Sequence, residues 1–359
     1  MTPRIVVNLF FIGGGRAQAH ESLRGESKIP FPGDAMTRWK LLAGSLTAVM
    51  VFVGAYSVAA APLRFAYASI APPLSGVWAA QETGAFKKYG LDVQLIYISS
   101  SATNAQALVG GSLEVATPGG TSAVLLAARG APIVAIGSVM NRPPMTLYVQ
   151  PEITRLEQLK GQALGITRFG STGHSISTLM LRNMGMTQSV TLRPVGGNPE
   201  LQAAFEQKII AGFVTTVKPK GAARALANAA DLDVPYAMNL ITVTQDFLKA
   251  NPDTAERLLR AYIEGVGSMI RDKALASKIF SKYFKRSDPA FLDESYSIVA
   301  KFLERIPRVD PRTISTAVEI ESIKGSSAEQ LTDKLVDNTI VDRLVKEGFT
   351  DKVFGKSGR

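Results

Sequence analysis

The 359-residue chain contains no cysteine and only two histidines, His20 and His174. Without cysteine there is no thiol nucleophile, disulfide, iron–sulfur cluster or thiolate zinc site. Two histidines leave almost no room for a multi-histidine metal site. No Ser–His–Asp pattern, metal-ligand spacing or framed pair of carboxylates appears, and no cofactor motif is present. Acidic residues are the minority charge, 30 against 40 basic, for a formal net charge of +10. The basic residues are scattered, without an aromatic-interleaved stripe, so nucleic acid is not an expected partner. Hydrophobic residues make up 46% of the chain, enough to exclude a disordered or fibrous protein.

Only one long apolar run is present. Arg38 and Lys40 precede an uncharged stretch from Leu41 to Ser57, which ends in Val58-Ala59-Ala60-Ala61. A basic start, an apolar middle and small residues form the plan of a secretory signal peptide. The expectation is cleavage after Ala60 and a periplasmic protein; a retained membrane anchor is the alternative. Residues 1–35 lack periodicity and read as a dubious N-terminal extension, with 36–60 the signal peptide. Six basic against three acidic residues in 1–60 carry +3, leaving +7 on residues 61–359.

From Leu63 onward, strands alternate with helices, the pattern of an α/β protein built on a parallel sheet. Strands are predicted at 63–69, 91–98, 113–116 and 133–136, with helices over 77–88, up to 108, and 123–128. A second, smaller α/β unit follows, with strands at 163–166, 190–195 and 209–215. The final third is mostly helical, with predicted helices over 253–271, 275–284, 288–306 and 327–347. Ligands of such sheets bind outside the carboxyl ends of the strands.

The loops there supply candidate ligand groups. Arg168, with Ser171 and Thr172, lies in a glycine-rich loop before a helix, where free N–H groups and a guanidinium would hold an anion. A solvated surface arginine is the competing reading. The loop has no Walker lysine. Ser99 to Ser101, Thr103 and Asn104 form a hydroxyl-rich helix start, one of them an ordinary cap. Thr117, Gly120 and Thr121 form another. Ser69 and Ser75 line the first loop, Asn141 follows the fourth strand, and Thr215 and Thr216 follow a strand of the second unit. Trp78 reads as a core residue rather than an aromatic floor. His174 shows no partner by spacing and reads as structural.

Several segments resemble one family in order. Trp78 to Val93, with Gln81-Glu82-Thr83-Gly84 and Tyr89-Gly90-Leu91-Asp92-Val93, is similar to the early signature of periplasmic solute-binding proteins of ABC importers. The branch is the nitrate, sulfonate, taurine and thiamine-pyrimidine-precursor group. Gly111 to Ala116, Leu159 to Ile166, Phe247 to Asp253, Leu258 to Ala261, Asp337 to Asp342 and Lys346 to Phe349 resemble its later motifs. Where the second unit should repeat a glycine-and-acid motif, Gln207-Lys208-Ile209-Ile210-Ala211 lacks both. The resemblance implies a two-lobed type II periplasmic binding protein fold, each lobe a mixed sheet flanked by helices, with a helical C-terminal segment. Lobe 1 would comprise 61–146 and 240–359, and lobe 2 would comprise 147–239. It also implies a small-molecule solute, ABC permease transmembrane subunits as partners, and a monomer. The excess positive charge and Arg168 point to a small organic anion. The alternatives are an enzyme on the same fold, such as a thiamine-pyrimidine synthase, and a ligand-sensing domain. The synthases carry a cysteine-rich motif that this chain lacks.

Overall fold

A computed structural model describes residues 61–355. The dubious extension and the signal-peptide segment lie outside the described residues. No helix among the described residues is long and apolar enough to cross a membrane.

The chain starts with β1 (Leu63–Tyr67), α1 (Ser75–Glu82), α2 (Ala85–Lys88), β2 (Val93–Tyr97), α3 (Ser101–Val109), β3 (Val115–Ala116), α4 (Gly120–Ala128) and β4 (Ile133–Ser138). It then builds β5 (Thr146–Val149), β6 (Ala163–Ile166), α5 (Thr172–Asn183), β7 (Thr191–Pro194), α6 (Asn198–Glu206), β8 (Gly212–Thr215) and β9 (Arg224–Asn228). It returns through β10 (Leu240–Thr244) and ends in helices α7 (Gln245–Ala250), α8 (Pro252–Arg271), α9 (Lys273–Phe284), α10 (Pro289–Phe302), α11 (Pro311–Ile320), α12 (Ala328–Leu335), α13 (Thr339–Lys346) and α14 (Phe349–Phe354).

Two five-stranded sheets result, with orders β2-β1-β3-β10-β4 and β7-β6-β8-β5-β9. Each belongs to one lobe. Both sheets are mixed, as the resemblance implies, rather than parallel as strand–helix alternation alone suggests. β10 runs antiparallel to β3 and β4, and β5 runs antiparallel to β8 and β9. β5, β9 and β10 adjoin the places where the chain crosses between sheets. A strand that arrives from the other lobe needs no helical crossover and can pair in either direction.

The helical third also differs in detail. The predicted 327–347 helix is two, broken at Val336–Asn338, where Asn338 exchanges hydrogen bonds with the backbone of Val309. α11 fills a stretch for which no helix was predicted, capped by Asp310 with Pro311 following. Its Ile314 and Ala317 pack with Val124, Ala127 and Ala135, which ties it to the first sheet. α8 is the long amphipathic helix of that lobe, burying Leu258, Leu259, Tyr262, Ile263 and Val266. It approaches α1 closely: a Cβ on Gly265 would lie 2.5 Å from the Ala80 nitrogen, so only glycine fits. Trp78 is fully buried there, stacked on Tyr283 with ring centroids 4.5 Å apart. It is a core residue and lines no cleft.

Candidate functional site: a cavity between the two lobes

A cavity lies between the sheets, lined by residues of both. The first lobe supplies Ser69, Tyr97 and Ser99–Ser101 to its wall; the second supplies Thr167, Thr172, Gly173, Asn198, Thr215 and Thr216. Met145, Met238 and Asn239, beside the crossing segments, also line it. Gly173 apart, these are hydroxyl, amide, thioether or aromatic groups, and aliphatic residues such as Ile166, Leu201 and Val214 complete the lining. None of the described lining residues carries a formal charge.

Positive potential comes instead from backbone. The starts of α3, α5 and α6 all meet this cavity, through Ser101, Thr172 and Asn198. Helix starts present free N–H groups and the positive end of the peptide dipole. α5 is capped by the Ser171 hydroxyl, which accepts from the His174 N–H, but α3 and α6 have no side-chain cap. Ser100, just before α3, has φ 75°, a strained value for a residue with a Cβ. It is 5% exposed, and its hydroxyl has no hydrogen-bond partner among the described residues. An unpaired buried hydroxyl on strained backbone is the arrangement a ligand would relieve.

The lobes meet along one edge of the cavity. Ser101 Oγ and Thr172 Oγ1 are 3.1 Å apart, and the Thr172 hydroxyl donates to the Met238 carbonyl at 3.3 Å. The Ser122 hydroxyl donates to the Gly170 carbonyl at 2.7 Å. Glycines permit this approach: a Cβ on Gly119 would sit 2.0 Å from Thr172 Oγ1, and one on Gly197 2.3 Å from Ser99 Oγ.

Of the sixteen residues that the sequence proposed, Ser69, Ser99, Ser100, Ser101, Thr172, Thr215 and Thr216 line the cavity. The other nine lie elsewhere. Arg168, the leading candidate, is exposed and outside the lining. The turn that follows it accounts for this. Gly170 has φ 73°, and the Ser171 hydroxyl donates to the Arg168 carbonyl at 2.7 Å, so the chain reverses before α5 begins. Ser171 is spent on that turn and on its cap. Ser75 donates to the Pro72 carbonyl at 2.6 Å. Thr117 accepts from the Ala68 N–H at 3.2 Å, and its carbonyl takes the Asn239 amide at 2.8 Å. Thr121 pairs with the Tyr236 hydroxyl at 3.1 Å, and the Gly120 N–H donates to the Ala237 carbonyl at 2.9 Å. Thr103 lies on α3 away from the lining. Asn104 on the same helix is fully buried, with both amide atoms unpartnered among the described residues. Asn141 belongs to the crossing. Its N–H donates to Glu304 Oε1 at 3.0 Å and its side-chain amide to the Arg308 carbonyl at 2.9 Å. Burial pushes the Glu304 carboxyl above the usual carboxylate range.

Sequence reasoning proposed no role for Tyr97, Asn198 or Asn239. Asn198 could have been found. Gly196-Gly197-Asn198-Pro199 reads as a helix start with proline in the first turn and no strong cap. Tyr97 and Asn239 had no local signal, since only the fold brings them to one wall.

The NMT1/THI5-like family matches residues 71–275, more than half of the chain. The chain belongs to this family. Solved structures share its two-lobed periplasmic-binding-protein fold. A Bordetella bronchiseptica RB50 protein superposes with TM-score 0.69 at 19% identity, over 80% of this chain and 98% of its own. The alkanesulfonate-binding protein SsuA from Xanthomonas axonopodis pv. citri, solved bound to MOPS, gives TM-score 0.65 at 17% identity over 77% of this chain and 99% of its own. The nitrate-binding protein NrtA from Synechocystis PCC 6803 gives 0.62 at 13% identity over 80% and 88%. Among curated proteins, the riboflavin-binding protein RibY of Chloroflexus aurantiacus is 24% identical over 165 residues, 43% of this chain and 46% of RibY. The chain therefore spans less than half the length of that curated relative.

Proposed function

We propose that this protein is the extracytoplasmic solute-binding component of an ABC import system. It captures a small anion of sulfonate, carboxylate or nitrate type between its lobes and delivers it to membrane-spanning permease subunits. Residues 61–146 with 240–359, and 147–239, act as the two jaws. The observation that carries this reading is the convergence of three helix starts, two without a side-chain cap, on one uncharged cavity. Anions bind well at such starts without a formal counter-charge. Serine and threonine hydroxyls there replace the solute's hydration. The +7 of residues 61–359 steers an anion toward the protein but does not select it.

Capture is favoured over catalysis. The lining holds no carboxylate, imidazole or thiol to act as acid, base or nucleophile. The chain also lacks the cysteines on which the resemblance to synthases would depend.

One observation favours a second reading. An uncharged wall containing Tyr97 suits a neutral heteroaromatic solute, the class to which the name of the RibY relative points.

A thermal-shift screen of alkanesulfonates, nitrate, aromatic carboxylates, pyrimidines and flavins separates the two, because a ligand specific to the native state raises the melting temperature. The anion reading requires at least one anionic solute to raise it by several degrees. If only neutral solutes do so, the heteroaromatic reading replaces it.

A further inference from the structure

Outside the cavity, the lobes touch where α5 of the second lobe meets the end of α11 of the first. Two kinds of link are found there. Arg182, on α5, donates to the carbonyls of Glu319 and Ile320 at 3.3 and 2.7 Å. A guanidinium keeps its charge at all relevant pH, so this link does not depend on pH. The second link is His174 on α5 with Glu321, whose Oε1 lies 3.4 Å from the imidazole Nδ1. Both side chains are largely buried, 17% and 14% exposed.

The same Nδ1 atom has a second neighbour. The Gly170 N–H donates to it at 3.3 Å, within the second lobe. The two contacts need opposite states of that nitrogen. To accept from Gly170, Nδ1 must present its lone pair. To bond Glu321, it must carry a proton. In the neutral ring with Nδ1 bare, the contact inside the lobe is made, and the carboxylate faces a lone pair. In the imidazolium, Nδ1–H donates to Glu321 as a charge-assisted bond across the lobes, and the Gly170 contact is given up.

We propose that His174 and Glu321 form a proton-operated latch that holds the lobes together more firmly as the pH falls. Imidazole is the side chain that ordinarily changes charge between about pH 5 and about pH 8. The surrounding groups are few. From its own side, the Phe169 ring packs edge-on against the imidazole, with centroids 5.4 Å apart, and Ser175 donates to Glu321 Oε1 at 3.4 Å. From the first lobe, Arg129 at the end of α4 and Glu321 line the same depression. Arg182 lies two turns along α5, engaged with the carbonyls of α11. Arg168 is exposed on the preceding loop.

The test needs no solute, so it stands or falls separately from the transport reading. The absence of cysteine allows unique labelling at Gln94→Cys and Arg193→Cys, on β2 and β7, the edge strands of the two sheets whose following loops meet at Ser99 and Gly197. Pulsed electron–electron spin distances are then measured on the full chain at about pH 8 and about pH 5.5. The latch predicts that acidification raises the ratio of short to long distances at least about threefold. His174→Gln and Glu321→Gln should each abolish that rise. An unchanged ratio in the parent protein overturns the latch, and so does a rise that persists in both variants. Far-ultraviolet circular dichroism confirms that each variant is folded.

Discussion

The two lobes have the same plan and very different interiors. In the first sheet, β4 is buried along its whole length and β10 along nearly all of it. In the second, the outer strands β7 and β9 are mostly exposed or half-buried. Helices α8 to α14 add a second layer of apolar contacts to the first lobe, including fully buried Trp78, Tyr262 and Phe280. Part of the second lobe rests on a small separate cluster, Leu201, Ala204, Phe205, Ile210 and Phe213. Stability within a protein follows such differences in buried apolar contact. The first lobe is therefore expected to be the more stable platform and the second the lighter jaw, and the cavity takes hydroxyls from both.

The largest effect should come from the platform. Trp78→Ala removes a stacked, fully buried ring and should cost about 3–5 kcal/mol, read as a large fall in denaturant midpoint. A smaller effect is expected in the jaw. Gly165→Ala would place a Cβ 2.5 Å from Ile210 Cδ1 and 2.7 Å from Leu201 Cδ2, overpacking the small cluster by about 1–3 kcal/mol. Hydrogen exchange should show that loss confined to residues of the second sheet. Equal losses from the two substitutions, or protection lost first in β10, would remove the distinction between platform and jaw.

The smallest effect is electrostatic and belongs to the platform's rim. Burial alone would raise the Glu114 carboxyl, but bonds from the Arg64 guanidinium and backbone N–H outweigh it and hold the group below its usual range. A carboxyl lowered on folding stabilises the native state above its unfolded value, and that stability is lost as pH falls through the folded value. Glu114→Gln should therefore cost less than about 1 kcal/mol near neutrality and nothing in strong acid. A cost that grows on acidification would contradict the assignment.

Much of the fold was legible because it is written in local periodicity. β1, β2, β6 and α8 follow from alternation or from the helical apolar stripe, with bounds close to those observed. Strand direction was not legible. β5, β9 and β10 take theirs from where the chain crosses between lobes, which no local pattern records. The site divides the same way. Ser100 and Thr172, proposed as hydroxyls at helix starts, line the cavity. Arg168, proposed from its position beside a helix start, lies outside the cavity because of the turn at Gly170, which no local pattern records. The partner of His174, Glu321, is remote in sequence and becomes visible only in the folded chain.

The central claim is that solute is held between the two lobes. Calorimetric titration of the solute identified by thermal shift, against the parent protein and Gly119→Ala, tests it most directly. The added Cβ would lie 2.0 Å from Thr172 Oγ1, so the lobes cannot approach without giving up the Ser101–Thr172 contact. The account predicts affinity weakened at least about tenfold, while the free protein loses only the stability of that one interlobe contact. Unchanged affinity in Gly119→Ala would contradict it and place the solute outside the interlobe cavity.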